Sequence, residues 1–407
     1  MVWPSNRTDL DDRRRNWVDR FAESDREAGI DVTDDFEPFH QRNDVFTRAF
    51  WDETVRSKRS EAFFGSYRIE SAPRRGDGFT QRDFALRNAS WLISDIISNR
   101  GNEVGEREGF QAPINNDTPV STDQVEIDDP VAMNAEIKKV AQFFGADLCA
   151  VTEIDDRWLY ETRVDARDAS EAANELPEGI TSVIVLGHEM DESLLATYPS
   201  ALGGAATGRE YSHEAGIVMQ VAAYIRNLGY EAVASMNDTG LVIPYAIKAG
   251  LGEYARNQLV ITPEFGPRLR FSKIFTTMPV AHDAPRKLGV AEFCSTCDRC
   301  VKACPAKALP SGPPSVESTG KSAITGVRKW TSDAEACFGY WAKLASDCAI
   351  CMRVCPFNRD FSKRRNRLWL RLALSPLRKV ALWLDDKSGR AARKKPRDWW
   401  DGTSAQK

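Results

Sequence analysis

The sequence predicts a mixed core of helices and strands, α/β or α+β, followed by a small module built around cysteine. Three observations carry this. Apolar runs of strand length alternate with helical repeats from Pro130 to Thr262. Eight of the nine cysteines fall between Cys294 and Cys355. The chain of 407 residues, 42% hydrophobic, is long enough for two or three domains and at least one large core.

Residues 1 to about 130 are polar and rich in Arg and Asp, yet carry nine large aromatics from Phe46 to Trp91. That many aromatics argues against disorder. The region reads as one that wraps over a core it does not itself build, with a long loop from Asn102 to Asp128. Met133–Phe144 has helical spacing and stops near Gly145. Leu148–Thr152 and Ser182–Leu186 read as buried strands. Glu210–Leu228 is a strong amphipathic helix stopped by Gly229. Ala232–Ser235 is a short strand, Leu241–Ala249 a helix with Gly250 beyond it, and Leu259–Thr262 a further strand.

The cysteine module follows. Cys294, Cys297, Cys300 and Cys304 have the spacing C-x2-C-x2-C-x3-C, with Pro305 next. Cys348, Cys351 and Cys355 repeat the last three of these, followed by Pro356, and Cys337 stands upstream. This is the spacing of a ferredoxin with two [4Fe–4S] clusters, in which the last cysteine of each run ligates the other cluster. Cys294, Cys297, Cys300 and Cys355 are assigned to one cluster, and Cys304, Cys337, Cys348 and Cys351 to the other. A zinc site would need only two C-x2-C knuckles, and disulfides fit worse because nothing in the chain indicates export. Cys149, in an apolar run, reads as a small buried hydrophobe. Pro310–Lys329 is a Pro/Gly/Ser-rich insertion between the two halves. The expected organisation is therefore 1–129 wrapping region, 130–289 core that carries the chemistry, 290–360 two-cluster module, and 361–407 basic tail.

From Phe357 onward there are 15 Lys and Arg against 5 Asp and Glu, while the whole chain carries a net charge of −4. An acidic body with a basic tail suggests a contact made by the tail. Its apolar residues between Phe361 and Leu384, interrupted by Pro376, suit helices packed back on the body, a membrane-surface contact, or a docking face for an acidic electron donor. No apolar run is long enough to span a membrane. The N-terminal charges, including Arg13, Arg14 and Arg15, are not followed by the apolar stretch of a signal peptide. The expected address is the cytoplasm, which also suits thiolate-ligated iron. No G-x-G-x-x-G follows a strand, so a dinucleotide site is unsupported.

Upstream of the cysteines the chain resembles the reductive dehalogenase family. The resemblance rests on Asp129-Pro-Val-Ala-Met133, Gly208-Arg-Glu-Tyr-Ser-His213, Asn237-Asp-Thr239, Ala249-Gly-Leu-Gly-Glu253 and, closest of all, the stretch from Leu259 to Lys273. It covers roughly residues 40 to 360. It implies a nitroreductase-like α/β core holding a corrinoid (cobalamin, bound base-off) beside two [4Fe–4S] clusters, and replacement of a carbon–halogen bond by carbon–hydrogen. The substrate would be an organohalide, a halogenated aromatic in the first instance. Tyr211 matches the family's proton donor, and a tyrosine, with a free pKa of about 10, keeps its proton until a strong base forms. Its conjugate base calls for a nearby cation, for which Arg270 and Lys273 are the candidates. Asn237 matches an amide near substrate or halide. Thr262, Pro263, Phe265 and Gly266 are the expected cofactor-binding residues. None of His40, His188, His213 and His282 sits in the D-x-H-x-x-G context that ligates cobalt. Lacking a twin-arginine leader and an appended reductase domain, the protein is expected to draw electrons from a separate ferredoxin, flavodoxin or reductase, with no nucleic acid involved. Two other readings are an epoxyqueuosine-reductase-like enzyme acting on tRNA, with Asp238 as proton donor, and a plain iron–sulfur electron carrier.

Overall fold

The computed structural model describes residues 17, 20–68, 76–97, 118–164 and 170–402. Helices α1 (Val45–Trp51), α2 (Lys58–Gly65) and α3 (Gln81–Ile97) come first, then α4 (Pro130–Phe144). Four strands follow, β1 (Leu148–Glu153), β2 (Ser182–Glu189), β3 (Ala232–Ser235) and β4 (Leu269–Thr276), interleaved with α5 (Ala201–Asn227) and α6 (Val242–Lys248). The strands form one sheet in the order β1-β2-β4-β3, every pair antiparallel, which places the core on the α+β side of the expected class.

Strands β2 and β4 are buried on both faces, and successive side chains enter opposite cores. Val183, Val185, Phe271 and Phe275 pack with Tyr245 and Ile247 of α6. Ile184, Leu186 and Ile274 pack with Ile137 of α4 and Val218 and Val221 of α5. Each fully buried aliphatic or Phe side chain contributes roughly 1.5–3 kcal/mol, so the sheet is fixed from both sides.

Local signals set the helix ends. The Asp129 side chain accepts from the backbone N–H groups of Val131 and Ala132, Pro130 opens α4, and Gly145 ends it at φ 109°. Helix α5 starts at Ala201 rather than the expected Glu210, with Ser200 capping Gly203. Its first turns are rich in glycine, which lowers helix propensity and hides the start. The glycines are there for clearance: a Cβ on Gly204 would stand 2.4 Å from Asp347 Oδ1, and one on Gly208 2.5 Å from Trp91. Strand β4 is an element the sequence reading lacked. Its Arg and Lys mask a segment buried on both sides.

The N-terminal region does more than wrap. Phe63, Phe64, Tyr67 and Trp91 lie in the same core as Tyr211, Ile184 and Val218. Most of the expected 102–128 loop and Arg13–Arg15 lie outside the described residues.

The cysteine module contains α7 (Val290–Thr296), α8 (Arg299–Ala303), α9 (Ala334–Leu344) and α10 (Ile350–Arg353), with 310–329 irregular between its halves. The tail forms α11 (Arg364–Ala373) and α12 (Arg378–Ser388), separated around Pro376. The module is stitched to the core. Arg256 donates to Cys294 O, Pro310 O and Gly312 O, and Arg268 donates to Asn358 Oδ1 and Arg359 O. Among the described residues no helix is long and apolar enough to cross a membrane.

Candidate active site and cluster module

Tyr211 projects from the middle of α5 and is 6% exposed. Trp91 of α3 stacks on it at 4.6 Å, an approach that Gly208 makes room for. Asn237 Nδ2 donates to the Tyr211 oxygen at 2.8 Å. Arg270 also donates to that oxygen, and its guanidinium lies 4.0 Å from the ring centroid. Tyr211, Asn237 and Arg270 all line a cavity of about 680 Å³.

Strand geometry decides between the two candidate cations. Residues 270 and 273 are three apart on β4, so their side chains leave opposite faces of the sheet. Arg270, opposite His188 on β2, faces α5 and Tyr211. Lys273 is fully buried and donates to Met236 O at 2.8 Å and Asp238 O at 3.0 Å. It holds the loop that carries Asn237 rather than touching the tyrosine. Burial lowers Lys273 to about 8, against the opposing pull of Asp238 and Glu214.

That loop is heavily tied. Asp238 accepts from Met236 N and from Thr239 Oγ1. Tyr160 donates to Asn237 O at 3.1 Å, and Asn174 Nδ2 donates to Thr239 O. Thr239 sits at φ 63°, a left-handed conformation rarely adopted by a β-branched residue, and these bonds are what hold it. Asp238 is 1% exposed and does not line the cavity. The tRNA-reductase reading requires that carboxyl to reach a substrate.

The same face of the sheet holds two buried carboxyls. Among the described residues neither oxygen of Glu214 has a hydrogen-bond partner, and neither has Arg270 Nε. Burial raises Glu214 to about 7 against the attraction of Arg270, and raises Glu210 to about 7. Burial also lowers His188 to about 3, with His213 and Arg270 adding to the effect.

The four expected cofactor residues are placed elsewhere. Thr262 and Gly266 close a tight turn by exchanging backbone hydrogen bonds, and neither they nor Pro263 and Phe265 line the cavity. A Cβ on Gly266 (φ 59°) would stand 2.0 Å from Phe357 O, so this turn abuts the cysteine module. The wall instead uses Phe46, Tyr160, the Gly240–Leu241 turn, Val242–Pro244 at the start of α6, Tyr254 and Lys329. Gly240 and Pro244 among these carry a sequence signal; Phe46 and Tyr160, brought in from far upstream, carry none.

Cys294, Cys297, Cys300 and Cys355 together wall a small pocket with Phe293 and Phe357. Burial pushes the Cys355 thiol well up, with Cys294, Cys297 and Cys300 adding to the rise, and pushes up Cys348, with Cys337 and Cys304 adding. Burial does the same to Cys351, with Cys348, Cys337, Cys300 and Cys304 adding. Among the described residues no three His, Cys, Asp or Glu side chains converge on a single ion. The first four thiols wall a volume, as ligands spread over a cube must. The cavity beside Tyr211 also reaches the module, because Gly289, Ala291 and Glu292, leading to Cys294, form part of its wall.

A two-cluster iron–sulfur module joined to an α+β core with a tyrosine-lined cavity defines the class, and comparison with known proteins supplies the family. Residues 293–358 match the 4Fe-4S double cluster binding domain. The tetrachloroethene reductive dehalogenase of Sulfurospirillum multivorans is 33% identical over 300 residues, covering 67% of this chain and 60% of that protein. That of Desulfitobacterium hafniense is 34% identical over 261 residues, 55% of this chain and 47% of that one. A solved catabolic reductive dehalogenase in complex with 3-bromo-4-hydroxybenzoic acid shares the fold, with a TM-score of 0.68 at 19% identity over 89% of this chain and 48% of that chain. The chain belongs to the reductive dehalogenase family. It spans roughly half to 60% of the length of these relatives.

Proposed function

We propose that the protein reductively dehalogenates an organohalide, a halogenated aromatic in the first instance, with Tyr211 as the proton donor. The observation that carries this is the Tyr211 oxygen at a cavity wall, receiving hydrogen bonds from both Asn237 and Arg270. The reaction consumes two electrons and one proton, breaks carbon–halogen, forms carbon–hydrogen and releases halide. A corrinoid, when bound, supplies the low-potential metal chemistry at the halogen. The cavity suits such a group: it is roomy, it adjoins the module, and no histidine is among the described residues of its wall. Gly240–Pro244, Tyr254 and Lys329 would hold it.

The residues of the chain do the rest. Trp91 and Gly208 fix the tyrosine ring. Arg270 offsets the negative charge that the tyrosine oxygen acquires as it gives up its proton. Asn237 donates to the same oxygen without adding charge, held in place by the loop that Lys273 ties down. Electrons arrive singly through the two clusters from a separate donor.

Anaerobic reconstitution with cobalamin, followed by a halide-release screen over aryl and alkyl halides, tests the reading. About eight irons and one cobalt per chain are expected. Failure to release halide from any member of the screen by protein carrying both metals would refute it.

A further inference from the structure

The tail hairpin of α11 and α12 has two unlike sides. Its two acids face the module: Asp385 accepts from Arg299 and Arg359, and Asp386 accepts from Arg299. Arg299 lies between Cys297 and Cys300, so the hairpin is fastened to the loops of the first cluster. Trp369 seals the joint. Its indole donates to Ala381 O at 2.8 Å, and its ring meets Phe357 at 5.6 Å and Phe293 at 5.9 Å. Those two phenylalanines line the pocket of Cys294, Cys297, Cys300 and Cys355. One layer of aromatic side chains thus separates the hairpin from a cluster.

The other side faces solvent. Residues 364–388 carry seven Lys and Arg, of which Arg364, Arg365, Arg367, Arg371, Lys379 and Lys387 are exposed and Arg378 is half-buried. Among the described residues none of the seven pairs with a carboxylate, whereas both acids of the segment are engaged inward. Amid these cations Leu368, Leu377, Val380, Trp383 and Leu384 are 43% to 63% exposed. Leu377, Val380 and Leu384 follow helical spacing, so the apolar side chains form a stripe and not a scatter. A basic surround steers an oppositely charged partner, and an apolar centre gives a brief contact a dry middle.

We propose that this face docks a small acidic electron-transfer protein of the flavodoxin or ferredoxin type, which hands electrons to the first cluster past Trp369. The inference rests on the electron relay proposed above. The transfer forms and breaks no bond: one electron leaves the donor's cofactor, and one cluster is reduced by one electron. Position favours a protein over a lipid surface. The patch lies over a cluster, where a redox partner gains a short path and a bilayer gains nothing.

The test uses the full chain loaded with clusters, mixed anaerobically in a stopped-flow instrument with an acidic flavodoxin in its hydroquinone form. Bleaching of the iron–sulfur absorbance reports transfer, without dehalogenation being required. The expected wild-type rate falls steeply as salt rises. Combined Arg371→Glu, Lys379→Glu and Lys387→Glu should slow transfer at low salt by about ten- to a hundredfold. Reduction by photoreduced deazaflavin, a small reductant that needs no docking face, should be unchanged. A wild-type rate indifferent to salt, or a triple variant as fast as wild type, overturns the proposal. So does binding to phosphatidylglycerol vesicles that depends on Trp383 while the flavodoxin rate ignores the charge reversals, which would assign the face to a membrane. If deazaflavin bleaches no cluster in the wild type, the relay fails and the docking face falls with it.

Discussion

The two faces of the central sheet both bury charge, but in opposite ways. On the α6 face, Asp155 accepts from Arg157 Nε at 2.8 Å, from Arg157 Nη2 at 2.6 Å and from Lys248 at 2.6 Å, while Asp25 takes the rest of Arg157. Burial alone would raise the Asp155 carboxyl, yet Arg157 and Lys248 hold it below the usual range. On the α5 face, among the described residues, neither oxygen of Glu214 has a hydrogen-bond partner and neither has Arg270 Nε, while Arg270 Nη2 donates to Tyr211. A fully satisfied network rigidifies, whereas a half-satisfied one keeps charge available where a proton moves.

The contrast can be broken at several points. The largest effect is expected from Tyr211→Phe, which keeps the ring and the stack on Trp91 but loses turnover by roughly 10²- to 10⁴-fold. Iron and cobalt content should be unchanged. Near-normal halide release from this variant would remove the α5 face from the chemistry altogether.

On the other face the loss should appear as stability. Asp155→Ala leaves Arg157 and Lys248 buried with Asp25 alone between them, and should cost about 3–5 kcal/mol in chemical denaturation. For the intact protein, the part of stability due to Asp155 is present above the ordinary aspartate pKa of about 3.9 and is lost as pH falls through its lowered value.

Glu214 should show the opposite sign. Its value of about 7 lies above the ordinary glutamate value of about 4.3. Between the two, the native state holds a proton that the unfolded chain has released, so stability falls as pH rises across that window. Glu210 on the same helix, and Arg270 and Lys273 from β4, share the field. Glu214→Gln should remove its part of the slope, on the order of 3 kcal/mol between the two ends. Denaturation curves at pH 5 and pH 8 would expose an unchanged slope.

The smallest effects separate the two cations. Arg270→Met should slow turnover by about ten- to a hundredfold, and Lys273→Met by about tenfold or less, acting through the Asn237 loop. A larger loss at Lys273 would contradict the assignment made from strand alternation.

Legibility followed the range of the constraint. The cysteine runs were readable because ligand spacing along the chain is itself the chemistry. Met133–Phe144, Ala232–Ser235 and the Leu241–Ala249 helix were readable from period and from Gly stops. The choice of Arg270 over Lys273 was not, because it depends on β4, whose Arg, Ser and Lys conceal a doubly buried strand. Trp91 and Tyr160 reach the site from distant segments, and nothing local in their sequence announces it. The Thr262–Gly266 turn lies in the stretch that carries the closest family resemblance. In the fold, Gly266 of this turn packs against Phe357.

That approach has a practical consequence for engineering. With Gly266 against the Phe357 carbonyl, Arg268 on Asn358 and Arg359, and Arg256 on Cys294, the iron–sulfur part is not an interchangeable cartridge. A chimera that grafts the cysteine segment of one relative onto the core of another would need to carry both sides of this seam, or the graft would arrive with its electrons and no fitted socket.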